Sequence, residues 1–374
     1  IKGISDLDML YIMPKGKWDI YKNSPQKLLA DVRDALRERY PNTDIRYDRL
    51  VVDVFFKDFT FEVQPVFEED GEDDYINYKY PDTKYDCYKI TKPKQEQNAM
   101  TEFKNDHGGH HRLLCKMARS WKNTMGVAMG GLLVDTLAYN FLKENDEYDF
   151  ATYSDFDEMC KDFFEYLKDQ PKQDHYQALG SNQDVKVKHP FRSKAKDAHE
   201  KAKEAIEHET DEKRNDAWRE IFGKNFPKAK LKGTGQELYA VDFVDNEQFI
   251  EDIYPVDIIY DLKIDCIVER NGFRQSKLRD LLLRKEWLPH DYTLKFFIDK
   301  TDVSGNYIVK WKVRNVGEVA EHRNCLRGFI ENPNLNNNGR KETSNFFGPH
   351  YVECYIIKNG IVVARDKISV PIRK

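Results

Sequence analysis

The stretch IKGISDLDMLYIMP, residues 1–14, decides how the rest of this chain is read. Its apolar residues mark it as a strand, yet it carries two acids, Asp6 and Asp8, just after Gly3 and Ser5. Residues i and i+2 of a strand point to the same face, so the two carboxylates lie side by side. Like charges at that spacing repel unless a cation sits between them. Two readings follow: a cation site, or a solvated edge strand whose open face tolerates acids.

Composition narrows the class. A chain of 374 residues holds two or three domains and a sizeable core. Charged residues make up 33% with a net charge of only −5, so the signs are interspersed. That excludes coating of nucleic acid by bulk positive charge and leaves room for a local basic groove. There is no apolar run of the roughly 18 residues that a membrane helix requires and no signal-peptide pattern, so we expect a cytoplasmic protein without membrane contact. The cysteines at 87, 115, 160, 266, 325 and 354 stand singly, as reduced thiols do. The first residue is Ile1, not Met, which leads us to expect a native piece ahead of it.

Along the chain, residues 1–100 read as mixed α/β. SPQKLLADVRDALRERY has a Ser-Pro start and helical spacing at Leu28, Leu29, Val32, Ala35 and Leu36. DIRYDRLVVDVFF and FTFEVQPVFE read as two strands, and the acidic, Tyr-rich segment from Glu68 to Lys94 as a loop. Residues 101–225 read as a helical lobe ending in one long charge-laced helix, FRSKAKDAHEKAKEAIEHETDEKRNDAWREIFG. Residues 226–238 are the expected linker. Residues 239–374 carry alternating strands, the last two joined at Asn359-Gly360, which predicts a hairpin inside a β-sandwich.

A metal reading needs a third carboxylate from a neighbouring strand. Glu62 is the first candidate, because Thr60, Glu62 and Gln64 share one face while Phe59, Phe61 and Val63 share the other. Asp53 is the rival, flanked on its own face by apolar Val51 and Phe55. Three acids of this kind suit Mg²⁺, with Mn²⁺ as a substitute, and leave coordination positions for the phosphates of an NTP. The histidines of HGGHHR (His107, His110 and His111) lack the context of a zinc site and read as a turn and helix start. Tyr139 and Phe141 read as core.

Gly-Ile-Ser-Asp-Leu-Asp, then a helix, then a strand reading Glu-Val-Gln-Pro, resembles the polymerase-β-like nucleotidyltransferases of the cGAS/DncV-like group (CD-NTases, SMODS domain). RLLCKMARSWK resembles the group's spine helix, GGLLVDTLAYNFL the next helix and ALGSNQDVKV the loop after it, so the likeness spans residues 1–225. It implies an α/β + α fold, a nucleotidyltransferase core with a helical lobe. It makes Asp6, Asp8 and Glu62 the catalytic and metal-binding acids, and Ser5, Lys116 and Arg119 the nucleotide-binding residues. The charges at 116 and 119 also fit a solvated helix face. The chain departs from the group's pattern in three places: a Gly-Ser motif that should precede Ile1, Glu rather than Asp at 62, and Gly130-Gly131 where relatives often have Ser.

YIVKWKVRNVGEVA, LRGFI and the final hairpin resemble the adenylyl/guanylyl and SMODS C-terminal sensor domain. The resemblance implies a ligand there, a nucleotide being one reading. Trp311, Arg314, Asn315, Arg327, His350 and Tyr351 supply stacking, charge and amide groups for it, or else belong to the sandwich's own turns and core. The resemblance as a whole implies Mg²⁺-dependent joining of NTPs, with pyrophosphate release, into a cyclic or short linear oligonucleotide messenger of antiphage defence, read by a separate effector protein. Two alternatives stay open: nucleotidyl transfer onto a protein, tRNA or DNA primer, and a catalytically silent nucleotide-sensing module.

Overall fold

The computed structural model describes residues 6–57, 59–71, 75–229, 247–270, 272, 274–288, 290–315, 327–344 and 348–372. Contacts along the backbone divide the chain into two compact units. One is Ile1–His111 with Leu142–Phe150 and His175–Lys186; the other is Arg112–Phe141, Ala151–Asp174 and Val187–Lys374.

The first unit is built on strands β1 (Asp6–Ile12), β2 (Asp44–Tyr47), β3 (Val52–Phe55), β4 (Thr60–Asp70), β5 (Ile76–Asp82) and β6 (Cys87–Thr91). They form one sheet in the order β2-β3-β4-β5-β6, with β1 beside β4. Only β1 runs parallel to its neighbour. Helices α1 (Trp18–Tyr21), α2 (Pro25–Arg39) and α3 (Pro93–Asp106) and the short pair β7 (His175–Gln177) and β8 (Asp184–Lys186) complete it. Pro25 opens α2, where a missing N–H costs nothing. Leu29 of α2 then packs with Ile45, Val52, Val54 and Val63 to bury one face of the sheet.

Two expectations change here. The predicted single strand over Asp44–Phe56 is a hairpin, β2 with β3, because the chain turns between Asp48 and Val51, where the Asp48 N–H donates to the Val51 carbonyl at 3.1 Å. The expected loop from Glu68 to Lys94 contains β5 and β6. Asp82, at the end of β5, is fully buried, and both nitrogens of the Arg49 fork and Lys89 bond to it. Arg49 foremost, with Lys89, holds its carboxyl well below the ordinary carboxylate range despite the burial. These partners lie 33 and seven residues away in sequence, which is why local periodicity misses the hairpin.

The second unit holds most of helices α4 (His110–Met125) and α5 (Gly131–Glu144), with α6 (Phe156–Asp169), α7 (Arg192–Glu207) and α8 (Asp211–Phe222). Trp121, Phe141, Phe163 and Phe164 are fully buried among them. Phe141 is core, as its spacing implied, and Tyr139 is half-buried. The long helix expected over 191–223 breaks into α7 and α8 at His208–Thr210, where Thr210 Oγ1 caps the second by accepting from the Lys213 N–H at 3.4 Å. The expected linker runs from 226 to 238, of which 230–238 lie outside the described residues.

The same unit continues through α9 (Ile250–Ile253), β9 (Leu262–Glu269), β10 (Ser276–Lys277), α10 (Leu278–Leu283), β11 (Thr293–Thr301), β12 (Ile308–Asn315), β13 (Arg327–Glu331), β14 (Arg340–Thr343), β15 (Gly348–Lys358) and β16 (Ile361–Ile372). These strands make two four-stranded sheets, β10-β9-β11-β14 and β13-β12-β15-β16. Ile264, Cys266, Phe296, Trp311, Cys354 and Ala364 pack between them, so the predicted sandwich forms. Asn359 and Gly360 both take left-handed backbone (φ 51° and 80°), the geometry that a two-residue hairpin turn demands. Among the described residues the cysteines are free; Cys325 lies outside them.

The outer face of the second sheet carries buried charge. Glu353 accepts from Arg365 at 2.9 Å and from the Tyr355 hydroxyl at 2.6 Å, with Lys312 at 3.6 Å. Arg365 also donates to Glu251 at 2.8 Å and to the Asn123 carbonyl of α4 at 3.3 Å. Lys122 of α4 reaches Asp257 at 2.6 Å and the Ile258 carbonyl at 2.9 Å. Burial alone would raise the Glu353 carboxyl, but Arg365, Lys312 and Lys367 bring it from 4.5 down to about 2. Its stabilising contribution is therefore complete above the unfolded value and is lost as pH falls through the folded one. We predict that Glu353→Gln costs about 3–5 kcal/mol in urea unfolding at neutral pH. Between roughly pH 5 and 2 the variant should lose less stability than the wild type, because that titration is gone.

Candidate active site

Strand alternation places the acids. Val63 of β4 and Val52 and Val54 of β3 face α2 and are buried, so Glu62 and Asp53, one residue out of phase, stand on the opposite face. In the parallel pairing Asp8 is partnered with Glu62 and Asp6 with Thr60. In the antiparallel pairing on the other side, Asp53 is partnered with Glu62. Cross-strand partners share a face, so Asp8, Glu62 and Asp53 form a lateral row over three strands about 5 Å apart. Asp8 is exposed, and Glu62 and Asp53 are partly so.

Asp53 and Glu62 entered as alternatives, and the register makes them neighbours. The reason is the hairpin offset: Val52 and Val54, not Val51 and Phe55, are the buried residues of that strand. Among the described residues no three His, Cys, Asp or Glu side chains already form a metal cage. The side chain of Asp6 lies outside the described residues, as does Ser5. The row nonetheless fits a hard divalent ion in its donor chemistry: all its donors are carboxylate oxygens, on neighbouring strands, on a face free of the apolar core.

Lys116 and Arg119 lie on α4, in the second unit. Lys116 is exposed. Arg119 is held by Asp135 of α5 at 2.7 Å and donates to the Cys115 carbonyl at 3.3 Å and the Gly131 carbonyl at 3.4 Å. A Cβ at Gly131 would stand 3.4 Å from the Arg119 guanidinium, an ordinary contact distance. Asp135 was not anticipated as its holder; an acid four residues beyond a Gly-Gly helix start was the available signal. Of the histidines, His107 pairs with Asp149 at 2.9 Å and stacks on Phe103, and His111 is buried.

The candidate ligand residues of the C-terminal segment split between two faces. Trp311 is fully buried and its indole N–H donates to the Asn338 carbonyl at 2.8 Å, so it packs the core and offers no stacking surface. Arg314 donates to the Arg327 carbonyl at 2.7 Å, and the Tyr351 hydroxyl donates to Glu247 at 3.0 Å, on the outer face of the sheet. Asn315, Arg327 and His350 line a cavity between the sheets.

Comparison with known proteins bears on this geometry. Residues 1–105 match the Second Messenger Oligonucleotide or Dinucleotide Synthetase (SMODS) domain, and residues 244–373 the Adenylyl/Guanylyl and SMODS C-terminal sensor domain. Among solved structures the chain is similar to Vibrio cholerae DncV, a cyclic AMP-GMP synthase solved with the linear intermediate 5' pppA(3',5')pG. That likeness has 13% identity, covers 61% of this chain and 66% of DncV, and has a TM-score of 0.50. Escherichia coli MS115-1 CdnC, solved with ATP, gives 14% identity over 59% of this chain and 78% of its own, with a TM-score of 0.45. No curated protein matches. The fold is thus that of a polymerase-β-like nucleotidyltransferase with a strand-rich C-terminal domain. The chain carries the SMODS domain of the cGAS/DncV-like nucleotidyltransferases (CD-NTases), followed by a C-terminal sensor domain. No helix of the described residues is long and apolar enough to cross a membrane.

Acids directly opposite one another on neighbouring strands destabilise a sheet by roughly 0.2–1 kcal/mol per pair. Without divalent ions, Glu62→Gln should therefore unfold at a slightly higher temperature than the wild type. Added Mg²⁺ should raise the wild-type midpoint and leave that of Asp8→Asn with Glu62→Gln unmoved, as read by scanning calorimetry. A midpoint that Mg²⁺ raises equally in both proteins would remove the ion from this face.

Proposed function

We propose that the chain transfers a nucleoside monophosphate from one NTP to a ribose hydroxyl of a second nucleotide, releasing pyrophosphate. The hydroxyl oxygen bonds to the α-phosphorus, the bond from that phosphorus to the β-phosphate bridging oxygen breaks, and the hydroxyl proton is lost. Repetition of the step gives a cyclic or short linear oligonucleotide. The reading rests on one observation, the in-register placement of Asp8 beside Glu62 on the face opposite the core.

Asp6, Asp8 and Glu62 would hold Mg²⁺, or Mn²⁺ in its place. Bound there, the ion supplies charge neutralisation at the α-phosphate, alignment of the hydroxyl and stabilisation of the leaving pyrophosphate. Glu62 is the base toward the attacking hydroxyl, and Asp53 adds negative charge beside it, which favours proton uptake by Glu62. Ser5 and Lys116 contact the triphosphate. Arg119, already fixed by Asp135, adds its positive charge to that contact. The product would be read by a separate effector protein in antiphage defence in the cytoplasm, and a small ligand at the C-terminal domain would adjust the rate. The sensor-domain match supports the ligand at the C-terminal domain.

Purified chain with Mg²⁺ and mixed NTPs should release pyrophosphate, and mass spectrometry should find an oligonucleotide free in solution. Asp6→Asn with Asp8→Asn should lower the rate by about 10³-fold or more, since electrostatic stabilisation of a transferring phosphoryl group usually contributes more to catalysis than any other single effect. Turnover unchanged in that double variant would refute the site. Label that stays on the protein after denaturation would move the acceptor from a nucleotide to a polypeptide.

A further inference from the structure

Among the described residues the sandwich is not filled to its end. Between its sheets lies a cavity of about 190 Å³. Its walls are Leu294 and Phe296 of β11, Val313 of β12, Val352 of β15, and Val370 and Ile372 of β16. Its polar side is Asn315, Arg327, Glu342, Thr343 and His350. From this geometry we propose that the cavity takes a single nucleobase, a flat uncharged heterocycle, with its ribose outside. The proposal deepens the sensor reading above and rests on it.

Size sets the first limit. An apolar cavity of about 150 Å³ admits benzene, whereas sites for drug-sized ligands run from about 300 to 1,000 Å³. The space between the sheets therefore holds one ring system and not a whole nucleotide or dinucleotide. Charge sets the second limit. Arg327 is bound through two nitrogens to Glu342, at 2.7 and 3.1 Å, and Glu342 also accepts from Arg340 at 2.7 Å. A phosphate entering here would have to displace a carboxylate already matched to its guanidinium, so an anion is disfavoured. The lining instead offers paired donors and acceptors without net charge: the amide of Asn315, the imidazole of His350 bonded to it at 2.8 Å, the Thr343 hydroxyl and the edge of the Arg327–Glu342 pair. The edges of nucleobases carry that mixture of donors and acceptors on a ring whose faces are apolar enough for Phe296 and the valines.

The backbone shows how Arg327 comes to be there. The pairing of β12 with β13 shifts register between Lys312 and Arg314. At the shift Arg327 and Gly328 take φ of 54° and 129°, a left-handed region that arginine rarely adopts. A bulge of this kind re-aims a side chain, and here the one re-aimed lines the cavity.

Isothermal titration of the full chain with adenosine, guanosine, cytidine and uridine, and then with their 5′-monophosphates, tests the assignment. One nucleoside should bind, and its monophosphate should bind within about threefold, because the phosphate stays outside the neutral lining. Val313→Phe, which fills the space, and Asn315→Leu, which keeps volume but removes the amide, should each weaken binding by about tenfold or more. The thermal midpoint of each variant is measured alongside to show that it folds. Absence of binding by all eight compounds, or a monophosphate more than about tenfold tighter than its nucleoside, overturns the base assignment. Binding that survives both substitutions in folded protein puts the ligand elsewhere, and the sensor reading outlives the cavity. Binding lost in both variants but without effect on pyrophosphate release keeps the cavity and removes its regulatory role.

Discussion

Parallel pairing of β1 with β4 is the constraint on which the N-terminal unit depends. Because side chains alternate, one register puts Val63 into the core beneath α2 and Glu62 on the far face, opposite Asp8. A slip of one residue in β4 would exchange its two faces, placing Glu62 among Leu29, Ile45 and Val54. Burial of those aliphatic groups, each worth about 1.5–3 kcal/mol, thus fixes Glu62 and Asp53 on the far face, and the register of β1 sets Asp8 beside them. The hydrophobic core holds the acids together.

In the second unit the same alternation separates two tasks along one strand. Trp311, Val313 and Asn315 of β12 face the other sheet, while Lys312 and Arg314 face outward into buried charge with Glu247 and Glu353. That outer face is also where α4 is fastened, through Asn123 to Arg365 and through Lys122 to Asp257. The helix that presents Lys116 and Arg119 is therefore anchored by Arg365 to the sheet that forms one wall of the cavity, and by buried Lys122 to Asp257 in the segment before β9. Buried charges tolerate little displacement, because separating partners exposes each to the full cost of desolvation.

Much of this was legible in the amino-acid order. Leu28, Leu29 and Val32 announce α2, Asn359-Gly360 announces the last hairpin, and the phase of Glu62 against Phe61 and Val63 announces which face it takes. Other features were not local. The β5–β6 hairpin depends on Arg49 reaching Asp82, the break between α7 and α8 on a threonine cap inside an otherwise helical charge pattern, and the inward position of Trp311 on a second sheet.

By itself the sequence determined the periodicities: where strands and helices run, which of their faces are apolar, and that acids recur on the polar faces of the first sheet. Only the tertiary structure decided that Asp8, Glu62 and Asp53 are neighbours, that Arg119 is held by Asp135, and that Asn315, Arg327 and His350 share a cavity while Trp311 and Tyr351 do not. Periodicity is a property of one segment and is written in adjacent residues. Register between segments is set by burial summed over strands far apart in the chain, and no single stretch encodes it.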